Sequence, residues 1–264
     1  MTEKLERLKN YLRGLERVAV AYSGGVDSTF LLKVAHDTLG DKVFALTAAS
    51  AFVPRSELAA AKNFCAAEKI RQVIFSAQVL SIDGISFNPP DRCYLCKREL
   101  FRNFLRLAEG AQVVEGSNVD DASDYRPGMR ALAELGIKSP LRAVGLCKAE
   151  IRALSREMNL PTADKPSMAC LASRFVHGEE LTAEKLSMVE RAEDLLRALG
   201  FGQFRVRIHG RLARIELLPA DFGKIMAADV RAEVAEKFRT YGFEYVALDL
   251  TGYRVGSMNP HVEK

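Results

Sequence analysis

The run AYSGGVDST, residues 21–29, sits between an apolar strand-like run and an apolar helical stretch, and it constrains this chain more than any other feature. Gly24 and Gly25 let the backbone curl tightly, so the amides of the loop and of the helix start point at one spot. Such a spot is an anion site, and phosphate is its natural guest. Ser23, Ser28 and Thr29 add hydroxyl donors, while Asp27 is placed to position magnesium or to cap the helix. No Gly-Lys-Ser/Thr follows, so the loop is not a Walker A loop. A glycine loop at the carboxyl end of a buried strand is where open α/β sheets bind their ligands.

The rest of the first half agrees. A first helix carries Leu5, Leu8, Leu12 and Leu15 on one face, and VAVAY, residues 18–22, reads as a strand. KVFALTA near residue 45 and RQVIFSA near 74 read as further short buried strands, separated by a helix over about 56–69, and QVVEG near 114 supplies a fourth. Strands alternating with helices need crossover connections, which predicts a doubly wound, mostly parallel α/β sheet over residues 1–165. Residues 161–178 hold two prolines and a cysteine without periodicity, as a linker or an active-site loop does. Beyond residue 181 the order changes to helix, FRVRIHG, LARIELL, a helix over about 220–241, and YVALDL. This α-β-β-α-β order predicts a smaller α+β domain over residues 166–264.

Composition excludes several classes. With 48% hydrophobic and 27% charged residues among 264, the chain is neither disordered nor fibrous. The net charge of +4 is too small to argue for nucleic acid as a partner. No apolar run is long enough for a membrane span or a signal peptide, so the expected location is the cytoplasm. There an odd set of five cysteines, Cys65, Cys93, Cys96, Cys147 and Cys170, is no disulfide framework. Metal binding, catalysis and plain burial remain.

Cys93 and Cys96 form a CxxC directly before a helical pattern, a spacing that sets both thiolates on one soft metal or cluster, with Arg92 and Lys97 lowering their pKa. Cys170, in the irregular segment, is the best third thiolate, and three thiolates leave one iron of a [4Fe–4S] cluster open. Cys170 acting alone as nucleophile or sulfur donor is the alternative. Cys65 and Cys147 read as small buried hydrophobes. Asp120, Asp121, Asp124 and Arg126 suit magnesium and phosphate together, or else a charged loop capping the next helix. Arg205 and Arg207 alternate along one strand and point the same way, toward a phosphate or dicarboxylate, or into a salt-bridge ladder with Glu216.

SGGVDS resembles the PP-loop of the ATP pyrophosphatase superfamily. Together with CYLCK, GSNVDDASDYRPG, KPSMACLASR and RVRIHGRLARIE it resembles the LarE family of ATP-dependent sulfur transferases, over about residues 18–250. The resemblance implies adenylation of a carboxylate of pyridinium-3,5-dicarboxylate mononucleotide and exchange of AMP for sulfur, in building the nickel-pincer cofactor of lactate racemase. It implies that ATP and Mg2+ are held by Ala21, Ser23, Gly24, Gly25, Val26, Asp27, Ser28 and Thr47, with Gly116, Asp121, Asp124 and Arg126 lining the nucleotide site. Cys170, Cys93 and Cys96 would carry the sulfur chemistry with Asp27, Ser173 and Arg174. Arg205, Arg207 and Lys97 would hold the substrate, and Glu193 and Glu216 a divalent metal. In some members the cysteine matching Cys170 gives up its own sulfur and becomes dehydroalanine. Those members lack the CxxC, so this chain resembles the [4Fe–4S] type, whose cluster carries a transferable sulfide. The resemblance leaves the sulfide source open and is compatible with a homo-oligomer such as a hexamer. A PP-loop tRNA thiolation enzyme is the nearest alternative.

Overall fold

Val18 and Val20 face one side of a strand and Ala19 the other, and all three are fully buried, which only the middle of a sheet covered on both faces allows. In the computed structural model, which describes residues 2–123, 128–166, 169–254 and 258, this strand is β1 (Val18–Ala21). It pairs in parallel with β2 (Val43–Ala49) on one side and β4 (Gln112–Val114) on the other. β2 pairs in parallel with β3 (Gln72–Ser76), giving the order β3-β2-β1-β4. One face of this sheet packs with α1 (Thr2–Arg13), α2 (Val26–Leu39), α3 (Arg55–Ala67), α6 (Pro140–Ala143) and α7 (Lys148–Glu157) through a core that includes Val18, Val20, Leu12, Phe30, Leu141 and Ile151. Against the other face lie α4 (Arg92–Leu107) and α5 (Gly128–Glu134), with Ala19, Phe44, Leu46, Phe101 and Phe104 in the second core.

This first compact unit comprises residues 1–78 and 93–168, and the second takes residues 79–92 and 169–264. The second unit is built on an antiparallel hairpin of β5 (Phe204–His209) and β6 (Leu212–Leu217), preceded by α8 (Ala183–Ala198). The Thr182 side chain accepts the Lys185 amide at 3.1 Å and so caps α8. The helical stretch expected over 220–241 is two helices, α9 (Phe222–Met226) and α10 (Ala228–Tyr241), because Ala227 is extended at φ −56°, ψ 137°. They form the crossover that sets β7 (Tyr245–Leu248) parallel to β6. The fold is therefore α/β, a four-stranded parallel sheet with a small mixed sheet after it. No helix among the described residues is long and apolar enough to cross a membrane.

α1 is tied to α7 by charge as well as by its leucines. The Lys4 ammonium donates to Gly145 O and to Glu150 Oε1, both at 2.7 Å. That hydrogen bond, with the Cys147 amide second, holds the Glu150 carboxyl down from its ordinary 4.5 to about 2. A carboxyl whose folded pKa is depressed stabilises the fold above its unfolded pKa and loses that contribution as pH falls through the folded value. Lys4→Met is therefore expected to cost about 0.5–1 kcal/mol at pH 7, the worth of a partly exposed pair. In urea unfolding series the gap between variant and parent should close as pH falls from 4.5 to about 2. A gap that persists unchanged to the acid end would show that the pair is not its origin.

Candidate functional site

In the first unit the loop between β1 and α2 is wound as its glycines allow. Gly24 has φ +75°, and a Cβ there would stand 3.3 Å from that of Ala61. Ser28 Oγ donates to Gly25 O at 3.1 Å and lies 3.2 Å from Ser23 Oγ, which closes the turn. The first-turn amides of α2 have no carbonyl of their own helix to bond, so they form the donor set of an anion site. Val26 is buried in the core, and what it contributes here is its backbone.

Next to this loop lies a cavity of about 380 Å³. Ser23, Gly25, Asp27 and Ser28 line it, as do the apolar side chains of Leu58, Leu100, Phe101 and Phe104. Ala21, Thr47, Gly116, Asp121 and Lys97 also line it, so residues far apart in sequence are brought together. A cavity of this size, lined both by polar groups of the loop and by apolar side chains, suits a nucleotide. Thr47 Oγ1 donates to Tyr22 O at 2.9 Å and fixes the strand end beside the loop. The Lys97 stem runs where a side chain on Gly128 would stand, 2.7 Å from Lys97 Cδ.

Of three further participants, Asn118 and Lys165 stand inside the runs GSNVDDASDYRPG and KPSMACLASR, and Lys148 carried no sequence signal. Lys148, on α7, pairs its ammonium with Asp27 Oδ2 and also lines the cavity. Asn118 Nδ2 donates to Asp27 Oδ1 at 3.3 Å, and its amide donates to Asp121 Oδ2 at 2.9 Å. Lys165 donates to Gly24 O at 3.0 Å and pairs with Glu57 at 2.6 Å, which holds the loop from behind. Asp120 accepts the Lys148 amide at 2.7 Å. Asp124 and Arg126 lie outside the described residues. Asp27 with the phosphates of a nucleotide is the donor set magnesium takes, one carboxylate and several phosphate oxygens.

In the second unit Cys170 opens a short helical turn. Its carbonyl accepts the Ser173 amide at 3.0 Å and the Ser173 hydroxyl at 2.7 Å. Arg92, expected beside the CxxC, donates from Nη1 to Cys170 Sγ at 3.2 Å and from Nε to Asn88 Oδ1 at 2.7 Å. Burial opposes the thiolate, but the charge and hydrogen bond of Arg92, the charge of Arg174 and the Ser173 amide outweigh it, and the Cys170 thiol is held below its ordinary pKa. Arg174 is fully buried and grips both oxygens of Glu193, Nε at 2.9 Å and Nη2 at 2.8 Å. A third contact to Glu193 comes from the Val206 amide at 3.1 Å. On β5, Arg207 donates to Ser173 O at 3.0 Å and to Glu216 Oε2 at 2.8 Å, and Arg214 reaches Glu216 Oε1 at 3.2 Å. Ion pairing is thus what the structure shows at Glu193 and Glu216. The guanidinium of Arg205 lies 5.2 Å from the centre of the Tyr253 ring.

Cys93 and Cys96 are half-buried, one turn apart on α4. Two thiols at that spacing are half of a soft-metal donor set, and Cys170 belongs to the second unit. Among the described residues no three histidine, cysteine or acidic side chains form a group that could hold a metal ion. Cys65 is buried, which pushes its thiol up to about 12 and leaves it inert. Cys147, expected as buried, is half-buried instead and precedes α7, its amide donating to Glu150 at 3.0 Å.

No family model matches the chain. It is 42% identical over 262 residues, 98% of each chain, to an uncharacterized protein of Synechocystis sp.. It is 38% identical over 259 residues to the pyridinium-3,5-bisthiocarboxylic acid mononucleotide synthase of Lactiplantibacillus plantarum, covering 96% of this chain and 92% of that one. A more distant likeness, 26% over 261 residues, joins it to a subunit of the glutamine-hydrolyzing GMP synthase of Saccharolobus solfataricus, over 87% of this chain and 68% of that one.

Proposed function

Because the chain belongs to the LarE-like family of PP-loop ATP pyrophosphatases, we propose that it adenylates a carboxylate of pyridinium-3,5-dicarboxylate mononucleotide and converts it into a thiocarboxylate. The observation that carries the substrate is the 38% identity, over 96% of this chain, with the synthase whose name specifies the bisthiocarboxylate product. The cavity supports the activation half. Its apolar side chains take the base of ATP, and the amides at the start of α2 take the phosphates.

A carboxylate is a poor electrophile, so its oxygen must first bond to the α-phosphorus of ATP while pyrophosphate leaves. The loop amides and Lys148 face the charge that develops on the leaving group, and Asp27 would hold magnesium, which when bound supplies further positive charge. Asp27 and Lys148 pair with each other in the structure. On this reading, each turns to its own partner, metal or phosphate, when the nucleotide arrives. A sulfur nucleophile then bonds to the activated carbonyl carbon, and the C–O bond to AMP breaks. Arg205 and Arg207 hold the substrate phosphate during both steps, and Lys97 faces the substrate carboxylates.

Cys93, Cys96 and Cys170 would hold a [4Fe–4S] cluster, which when bound supplies a deprotonated inorganic sulfide. Arg92 and Arg174 stabilise negative charge on sulfur at Cys170 whichever carrier is used. The test is anaerobic purification with iron and sulfide analysis, and intact mass before and after turnover with ATP and the mononucleotide. Expected are about four irons per chain and an unchanged protein mass. Absence of iron together with loss of hydrogen sulfide from the protein would overturn the cluster and make Cys170 the donor.

A further inference from the structure

We infer that Tyr253 is a positioning residue for substrate: its ring sets the plane of the Arg205 guanidinium so that the edge of the guanidinium meets an anionic phosphate. The inference rests on the reading of Arg205 as a phosphate ligand and adds to it a residue at the far end of the unit. Arg205 is buried on β5, and its Nη1 donates to Phe204 O at 2.6 Å, which anchors one corner of the fork. The ring centre of Tyr253 lies 5.2 Å from the guanidinium carbon. A guanidinium stacked on an aromatic face keeps its donors in the plane, where they match the oxygens of a phosphate.

The segment that delivers the ring is built for that purpose. After β7 the chain continues alongside β6, with the Asp249 amide bonded to Ile215 O at 2.9 Å and the Tyr253 amide to Leu217 O at 2.7 Å. Asp249 pairs with Arg214 and accepts the Thr251 amide at 2.8 Å, so the turn is closed by charge as well as by backbone. Gly252 has φ +73°, and a Cβ there would lie 2.8 Å from Leu217 O, so only glycine brings the next residue this close to β6. Tyr253 is therefore fixed in backbone position, while its side chain faces a charged group and not the apolar core. Burial and the nearby charge of Arg174 lower the pKa of Arg205, an electrostatic strain that an arriving phosphate relieves.

The experiment measures pyrophosphate release against mononucleotide concentration for the parent, Tyr253→Leu, Tyr253→Phe and Arg205→Ala, each first checked by thermal melting. Tyr253→Leu is expected to raise KM for the mononucleotide about fivefold to tenfold, the range of a partly desolvated cation–π contact. Its kcat and its KM for ATP should stay at the parent values, and Tyr253→Phe should restore the parent KM. With the dephosphorylated nucleoside as substrate, parent and Tyr253→Leu should have the same KM. If Arg205→Ala raises KM and Tyr253→Leu does not, the inference about Tyr253 falls and the phosphate site stands. If neither raises it, the phosphate site itself falls. Equal losses in Tyr253→Phe and Tyr253→Leu would also overturn the inference, because the hydroxyl and not the ring would then be responsible. Should Tyr253→Leu melt below the assay temperature, Tyr253→Met, which fills more of the space, is measured in its place.

Discussion

Cys170→Ala should stop thiocarboxylate formation while the first round of pyrophosphate release continues. On the proposed mechanism the two halves of the reaction use different residues. Every group assigned to the nucleotide, from Ser23 to Lys148, lies in the first unit, and Cys170 lies in the second. The turn that begins at Cys170 is held by its carbonyl, which accepts from Ser173 and Arg174, and alanine keeps that carbonyl. What alanine removes is sulfur. Arg92 loses an acceptor but still bonds Asn88 Oδ1 at 2.7 Å, so the buried guanidinium is not stranded. Thiocarboxylate formation, read by mass, should fall on the order of 10³-fold or more, as when a nucleophile is deleted. Pyrophosphate release in a single turnover should stay within a few-fold of the parent, since adenylation precedes sulfur transfer. Cys170→Ser, which keeps an oxygen acceptor for Arg92, should fail in the same way. Thiocarboxylate at the parent rate from either variant would remove Cys170 from the chemistry.

β1 and β2 were legible because each is a short apolar run closed by glycine or polar residues, and a parallel sheet buries such runs on both faces; β3, expected buried, is an edge strand whose residues are half-buried or exposed. The glycine loop was legible for the same local reason: its residues are neighbours in sequence and in space. Strand order was not, because nothing in the local sequence of β3 says that it pairs with β2. The partners of the site were hidden by distance along the chain. Lys148 reaches Asp27 across 121 residues, Asn118 reaches it across 91, and Arg92 reaches Cys170 across 78. Asn118 and Arg92 stood in runs that the sequence singled out, but their partners did not show there, and Lys148 looks like an ordinary charged residue at a helix start. Arg205 and Arg207 show both sides of this. Their shared face follows from alternation on one strand, and Glu216, opposite Arg205 in register, is the ladder partner that alternation suggests. The grip of Arg174 on Glu193 joins a turn to a helix, and no periodicity encodes it.

Gly116 packs against the start of α2, and Gly116→Ala is expected to damage adenylation with little effect on the fold. A Cβ at this position would stand 3.0 Å from Ser28 N and 3.2 Å from Asp27 C, both backbone atoms of the α2 start. Flexible side chains can give way; the first turn of a helix gives only by moving as a body. The alanine would therefore shift the amides that face the phosphates and would also shield the Ser28 amide. Crowding of this kind costs about 1–3 kcal/mol of stability in a packed site, which a protein of this size tolerates. A displaced catalytic backbone costs more in rate, since a misplacement of about 1 Å is worth about 10²-fold. A loss of about tenfold to 10²-fold in kcat for pyrophosphate release is the expected result, with the melting temperature lowered by a few degrees. Gly202→Ala is the control, because a Cβ there meets nothing within 4 Å, and it should leave the rate unchanged. If Gly116→Ala keeps the parent kcat and KM for ATP, the amides at the start of α2 are not what binds the leaving pyrophosphate, and the phosphates must lie elsewhere in the cavity.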